Sequence, residues 1–205
     1  MPSVQGKRVV IFGDSLSADP GSPGYELGAM LARNGASVKI NARIGRSANN
    51  FYGREDVAGQ MADITAFQPD LAIVELGTND LGLNMTVDEQ QMIRVRDALI
   101  AAGAKQVYAF GPPSFADGTA TTQAVDVLNM MRNVFGAKLL DLRPLTRDIL
   151  TTAQGRTGDG VHFTSSAGKV VGDRMATAFL ATNSMSGVQI AAAFVLGIGA
   201  WWALR

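Results

Sequence analysis

The stretch RVVIFGDSLSADPG, Arg8 to Gly21, decides how the chain is read. Its apolar run, Val9 to Phe12 behind Arg8, suits a short strand buried on both faces. Gly13, Asp14 and Ser15 follow at once. Ser15 is therefore either an ordinary turn residue or a nucleophile held where a strand ends. Asp14 reads as a residue that bonds its local backbone and shapes the turn, with no chemical role.

Similar runs recur along the chain. Ser37–Asn41, Leu71–Leu76, Gln106–Phe110 and Lys138–Leu142 are candidate strands, and segments of helical period lie between them. Tyr25–Asn34 sets Leu27, Met30 and Leu31 on one face and stops at Gly35. Thr86 and Glu89 have capping-box spacing ahead of the stripe Met92, Val95 and Leu99. Val125, Leu128, Met131 and Phe135 form another stripe. Ser165 or Ser166 can cap a last helix that turns Val171, Met175, Ala178 and Phe179 inward. Alternating β and α units predict an open parallel sheet with helices on both faces. Such sheets bind ligands at the carboxyl ends of their strands.

Bulk properties narrow the function. A chain of 205 residues can bury a core without disulfides or metals. Its 18 basic and 18 acidic residues balance, which removes nucleic acid as an expected partner. With no cysteine, thiol catalysis and thiolate metal sites are excluded. The sequence holds no H-E-x-x-H, no P-loop and no G-x-G-x-x-G after a strand. The start, MPSVQGKRVV, lacks the apolar core of a signal peptide, so the usual N-terminal export route is not expected.

The loops after the candidate strands carry chemistry. The first holds Ser15, the second Gly45 in NARIGRSANNF, the third Asn79 in LGTND. Late in the chain, DGVHF contains Asp159 and His162, the only histidine. A serine hydrolase needs a nucleophile, a base and a group that orients the base, which Ser15, His162 and Asp159 can supply. It also needs donors aimed at a developing oxyanion. The backbone N–H groups of Ser15 and Gly45 and the Asn79 amide can serve. Arg46 reads as a solvated loop arginine, Asp80 as a cap or a residue lining the site, and Pro112 and Pro113 as stiffeners of a rim loop.

GDSL at the first strand end, the loop glycine, GTND and the D-x-x-H pattern together resemble the SGNH (GDSL) hydrolases, over Lys7 to about Thr182. The resemblance implies a flavodoxin-like three-layer α/β/α sandwich with a parallel five-stranded sheet. It implies Ser15 as nucleophile, His162 as base, Asp159 as its partner, and Ser15, Gly45 and Asn79 as the oxyanion hole. It implies no metal, and no cofactor is expected. IVELGTNDLG is similar to the corresponding block of bacterial thioesterase/lysophospholipase members. IGRSANNF is similar to that of rhamnogalacturonan acetylesterase-like members. The function so implied is hydrolysis of a carboxylic ester through an acyl-enzyme, with short acyl groups such as O-acetyl on polysaccharide first. Lipid acyl esters come second, and a non-catalytic membrane-tethered module with the same fold is the rival from another class.

The C-terminal segment differs from the rest. Residues 1–182 read as the catalytic domain, 183–186 as a linker and 187–205 as a hydrophobic segment. Gly187 to Leu204 has one polar side chain, Gln189. As a helix it would reach about 27 Å, just under a ~30 Å hydrocarbon layer. Trp201 and Trp202 near its end and Arg205 after it suit an interface. A single-pass membrane anchor is the favoured expectation. An apolar helix packed on the domain or between subunits is the alternative, and the glycine-containing face offers a surface for a homo-oligomer.

Overall fold

A computed structural model describes residues 4–49 and 57–184 of the chain, without the side chains of residues 183 and 184. In chain order the elements are β1 (Arg8–Gly13), α1 (Ser15–Ala18), α2 (Pro23–Arg33), β2 (Ser37–Ala42) and α3 (Val57–Phe67). They continue with β3 (Leu71–Glu75), a 3₁₀ turn (Thr78–Asp80), α4 (Met85–Ala101), β4 (Gln106–Phe110) and α5 (Gly118–Phe135). A 3₁₀ turn (Gly136–Lys138), β5 (Leu139–Leu140), α6 (Arg143–Thr146), a 3₁₀ turn (Thr152–Gln154) and α7 (Ser165–Ser184) complete them.

The strands form one five-stranded sheet in the order β2-β1-β3-β4-β5. Every pairing is parallel, with Gly13 opposite Glu75 where β1 and β3 end. This is the flavodoxin-like order, whose connections reverse direction beside β1 and leave a crevice at the strands' carboxyl ends. Two-residue alternation along the strands builds a core on each face. Val10, Phe12, Ala72, Val74 and Ala109 pack with Ile64 of α3, Met92, Val95 and Leu99 of α4, and Val127 and Met131 of α5. Val9, Ile11, Ile73, Tyr108 and Phe110 pack on the other side with Leu27 and Leu31 of α2 and Val171, Met175 and Phe179 of α7. The chain therefore has the three-layer α/β/α sandwich with a parallel five-stranded sheet that the resemblance implies.

Several local expectations are corrected. Asn84, not Thr86, caps α4, its side chain accepting from the Thr86 and Val87 N–H groups. Glu89 instead accepts from the Asn133 amide on α5 at 3.1 Å. Thr164, the residue before α7, takes the Ala167 N–H on its hydroxyl at 3.4 Å, in place of a cap at Ser165 or Ser166. Val125 is 36 % exposed, because Ala124 and Val127 turn the buried face of α5 away from it. The last strand is only Leu139–Leu140: the 3₁₀ turn before it takes Lys138, and pairing with β4 ends at Leu140.

Helix α7 runs to Ser184, and the hydrophobic segment 187–205 lies outside the described residues. Among the described residues no helix is long and apolar enough to cross a membrane.

Candidate active site

The site is assembled where β1, β2 and β3 end. Asp14, the residue after β1, caps α1 by accepting the Leu16 N–H at 2.8 Å. That cap turns the chain sharply and sets Ser15 at the first position of the helix. The hydroxyl Oγ of Ser15 lies 2.8 Å from His162 Nε2. On the other side of the ring, Nδ1 lies 2.6 Å from Asp159 Oδ2. Residues 147 positions apart in sequence are thus brought into one hydrogen-bonded chain with Asp159.

Asp159 is held so that its carboxylate stays ionised. Its Oδ1 accepts from the Thr157 hydroxyl at 2.7 Å, Val161 N–H at 2.9 Å and His162 N–H at 3.0 Å. The Thr157 hydroxyl, then the His162 ring, hold its carboxyl well below the usual carboxylate range. Tethered this way, the carboxylate fixes Nδ1 as the protonated ring nitrogen and leaves Nε2 free to accept from Ser15.

Arg156 braces the loop that carries both residues. It is 1 % exposed. Its guanidinium donates to Ile149 O at 2.8 Å, to Ser114 O at 2.5 Å and to Val161 O, and stacks over the Phe163 ring at 3.8 Å. Burial pulls it down to about 10, so it remains charged at neutral pH. One side chain thereby ties the loop after β4 and the segment after α6 to the loop holding Asp159 and His162.

The second loop turns tightly after β2, with the Arg46 N–H donating to Arg43 O at 3.1 Å. Gly45 takes φ +74° there, a left-handed conformation that a side chain would strain, and space is open where a Cβ would project. Arg46 is not solvated: it is 2 % exposed. Its guanidinium donates to Gly13 O at 3.1 Å, Asn41 O at 2.7 Å and Gln60 Oε1 at 2.6 Å, and lies 4.3 Å above the Phe12 ring. Arg46 satisfies carbonyls at two neighbouring strand ends, which is why the loop folds back on the sheet.

Asn79 sits in the 3₁₀ turn after β3 and is solvent-exposed. Its Nδ2 donates to Asp14 Oδ2 at 3.1 Å and to Arg46 O at 3.0 Å. The amide nitrogen thus lies between the residue before Ser15 and the residue after Gly45. Asp80, next to it, is buried and accepts the Ala48 N–H at 3.0 Å, clamping the second loop to the third.

Buried carboxyls support the site from below. Asp14 is pushed up to about 7 by burial, against the opposing pull of Leu16 N–H, His162, Asn79 and Arg46. Glu75, which accepts the Ser17 hydroxyl at 2.8 Å, is pushed well above the usual range by burial and by the neighbouring Asp14 charge. Burial, then the charge of Asp88, raises Asp80 to about 7. Among the described residues no group of three or more His, Asp or Glu side chains is arranged to hold a metal ion.

The sequence pattern of the GDSL-like lipase/acylhydrolase family matches residues 11–169. The chain belongs to that family. It is accordingly a carboxylic ester hydrolase. No curated protein matches the sequence. Solved structures share the fold at low identity. A catalytic mutant of Axe2, an acetylxylan esterase from Geobacillus stearothermophilus, superposes with a TM-score of 0.65 at 16 % identity, covering 91 % of this chain and 98 % of the other. The psychrotrophic esterase EstA from Pseudoalteromonas gives 0.61 at 19 % identity, over 82 % and 94 % of the chains. TesA gives 0.63 at 18 % identity, over 87 % and 98 %.

Sequence reading picked out Ser15, Gly45, Asn79, Asp159 and His162, and missed the residues that hold them. Thr157 could have been suspected as a hydroxyl two positions before Asp159. Arg46 and Arg156 gave no such sign, because nothing local distinguishes a buried arginine from a solvated one.

Proposed function

We propose that the protein is a serine esterase that removes short acyl groups, O-acetyl on a polysaccharide first, through an acyl-enzyme on Ser15. The observation that carries this reading is the continuous chain from Ser15 Oγ through the His162 ring to Asp159. His162 Nε2 takes the hydroxyl proton as Oγ attacks the ester carbonyl. Asp159 keeps the ring oriented and stabilises the imidazolium that forms. The backbone N–H groups of Ser15 and Gly45 and the Asn79 amide receive the oxyanion. Collapse of the tetrahedral intermediate expels the alcohol, which takes the proton from His162. The ring then activates water to release the acid.

Turnover of p-nitrophenyl acetate should be abolished by Ser15→Ala, and a fluorophosphonate probe should label Ser15 in the wild type. Wild-type turnover by the variant overturns the reading. Absence of labelling in folded protein would instead favour a non-catalytic module with this fold.

A lipid acyl ester is the second reading. It is favoured by two apolar side chains in the donor loops, Ile44 beside Gly45 at 70 % exposure and Leu83 at 45 %. A series of acyl chain lengths separates the two. A peak at acetyl supports the first reading and a peak at eight carbons or more the second. The acetyl reading has support from the likeness of the IGRSANNF block to acetylesterase-like sequences and from the shared fold with an acetylxylan esterase. Attachment to a membrane through segment 187–205 belongs to the same proposal, and it rests on the uncharged, apolar composition of that segment.

A further inference from the structure

The geometry points to Asp14 as the positioning residue that orients the Asn79 amide toward the oxyanion, an inference that rests on the oxyanion role proposed for Asn79. A carboxamide is nearly symmetric in shape, and only its hydrogen-bond partners decide which end is nitrogen. Both partners of Nδ2 are acceptors, Asp14 Oδ2 at 3.1 Å and Arg46 O at 3.0 Å. Turned over while Asp14 is ionised, as it is above about pH 7, the amide would set its own oxygen against a carboxylate and a carbonyl, with no donor between them. The two acceptors thus keep the donor end on the side of Ser15 and Gly45.

Both acceptors are themselves fixed. Asp14 is fully buried, and its Oδ1 is committed to Leu16 N–H at the start of α1. Oδ2 therefore points one way only. The Arg46 backbone is held by the turn to Arg43 and by a guanidinium bonded to Gly13 O and Asn41 O. As the oxyanion forms, it takes one amide hydrogen in exchange for one of these acceptors, while the other holds the side chain on its axis. The donor end is set before the reaction, so only one of its two hydrogen bonds changes partner during it.

Asparagine at position 14 separates this role from a structural one. It is an equally good helix cap and has the same shape. With its oxygen on Leu16 N–H, however, its NH₂ faces the Asn79 NH₂, and two donors oppose each other. Alanine leaves Asn79 with Arg46 O alone and no opposing donor. Asp14→Asn should therefore be the more damaging change, against the usual order for an isosteric swap.

The test is a double-mutant cycle on p-nitrophenyl acetate hydrolysis, with active sites counted by fluorophosphonate titration. Asn79→Ala should lower kcat by ~10²–10³. Asp14→Asn should lower kcat by a factor approaching that with KM nearly unchanged, and the double variant should be no slower than Asn79→Ala. A kcat per titrated site for Asp14→Asn within about threefold of wild type overturns the inference, as do losses that multiply in the double variant. If Asp14→Asn does not fold, the cycle is run with Asp14→Ala, where multiplying losses overturn the inference and non-multiplying losses support it. Wild-type kcat in Asn79→Ala would remove the oxyanion role itself and this inference with it. A large loss there beside an unaffected Asp14→Asn removes the inference alone.

Discussion

Asp80 holds two loops together at a cost that depends on pH. Its Oδ1 accepts from Ala48, but among the described residues Oδ2 has no hydrogen-bond partner, and neither does Asp88 Oδ2. An acid raised from 3.8 to about 7 keeps its proton in the folded state where the unfolded chain has lost it. The folded state then binds more protons over that interval, so stability is full below about pH 4 and is lost as pH rises through about 7. Asp14, raised to about 7 in the same way, acts with the same sign. Asp80→Asn retains the acceptor for Ala48 and removes the charge. The variant should unfold at a higher temperature than wild type at pH 8, by on the order of 1–3 kcal/mol of stability, with the gain vanishing near pH 4. Thermal unfolding from pH 4 to 8.5 measures it, and a gain independent of pH would contradict titration of a buried carboxyl as its origin.

At the scale of elements, the loop from Arg156 to Phe163 is a small framework built on one guanidinium. Arg156 reaches carbonyls at Ile149, Ser114 and Val161, and an antiparallel bridge joins Arg156 to Phe163. Lysine carries the charge but not the planar fork that serves three carbonyls. Arg156→Lys should cost ~2–4 kcal/mol in urea unfolding, since buried carbonyls lose their donors. It should also lower kcat by up to ~10²-fold as His162 shifts, with KM little changed. A second element contact depends on glycine. On α7, a Cβ at Gly172 would lie 2.5 Å from Glu26 Cβ and 2.8 Å from Pro23 O on α2. Gly172→Ala forces the helices apart and should lower the urea midpoint by the equivalent of ~1–3 kcal/mol, at unchanged m value.

Over the whole molecule, the proposed attachment through 187–205 has a direct test. Deleting Ser186–Arg205 should move the protein from the membrane fraction to the soluble one with ester hydrolysis intact. Full-length protein soluble without detergent would contradict the anchor.

The sequence by itself determined the sheet, because buried parallel strands are short apolar runs and the helices between them show their period. It also marked Ser15, Asn79 and His162, since each stands in a polar loop just past such a run or in a D-x-x-H pattern. Tertiary structure alone decided what holds them. Arg46 and Arg156 are buried because carbonyls from distant segments converge on them, and Asp14 meets Asn79 across 65 positions. Strand order brings those segments together, and local sequence carries no trace of a partner set by the path of the chain through space.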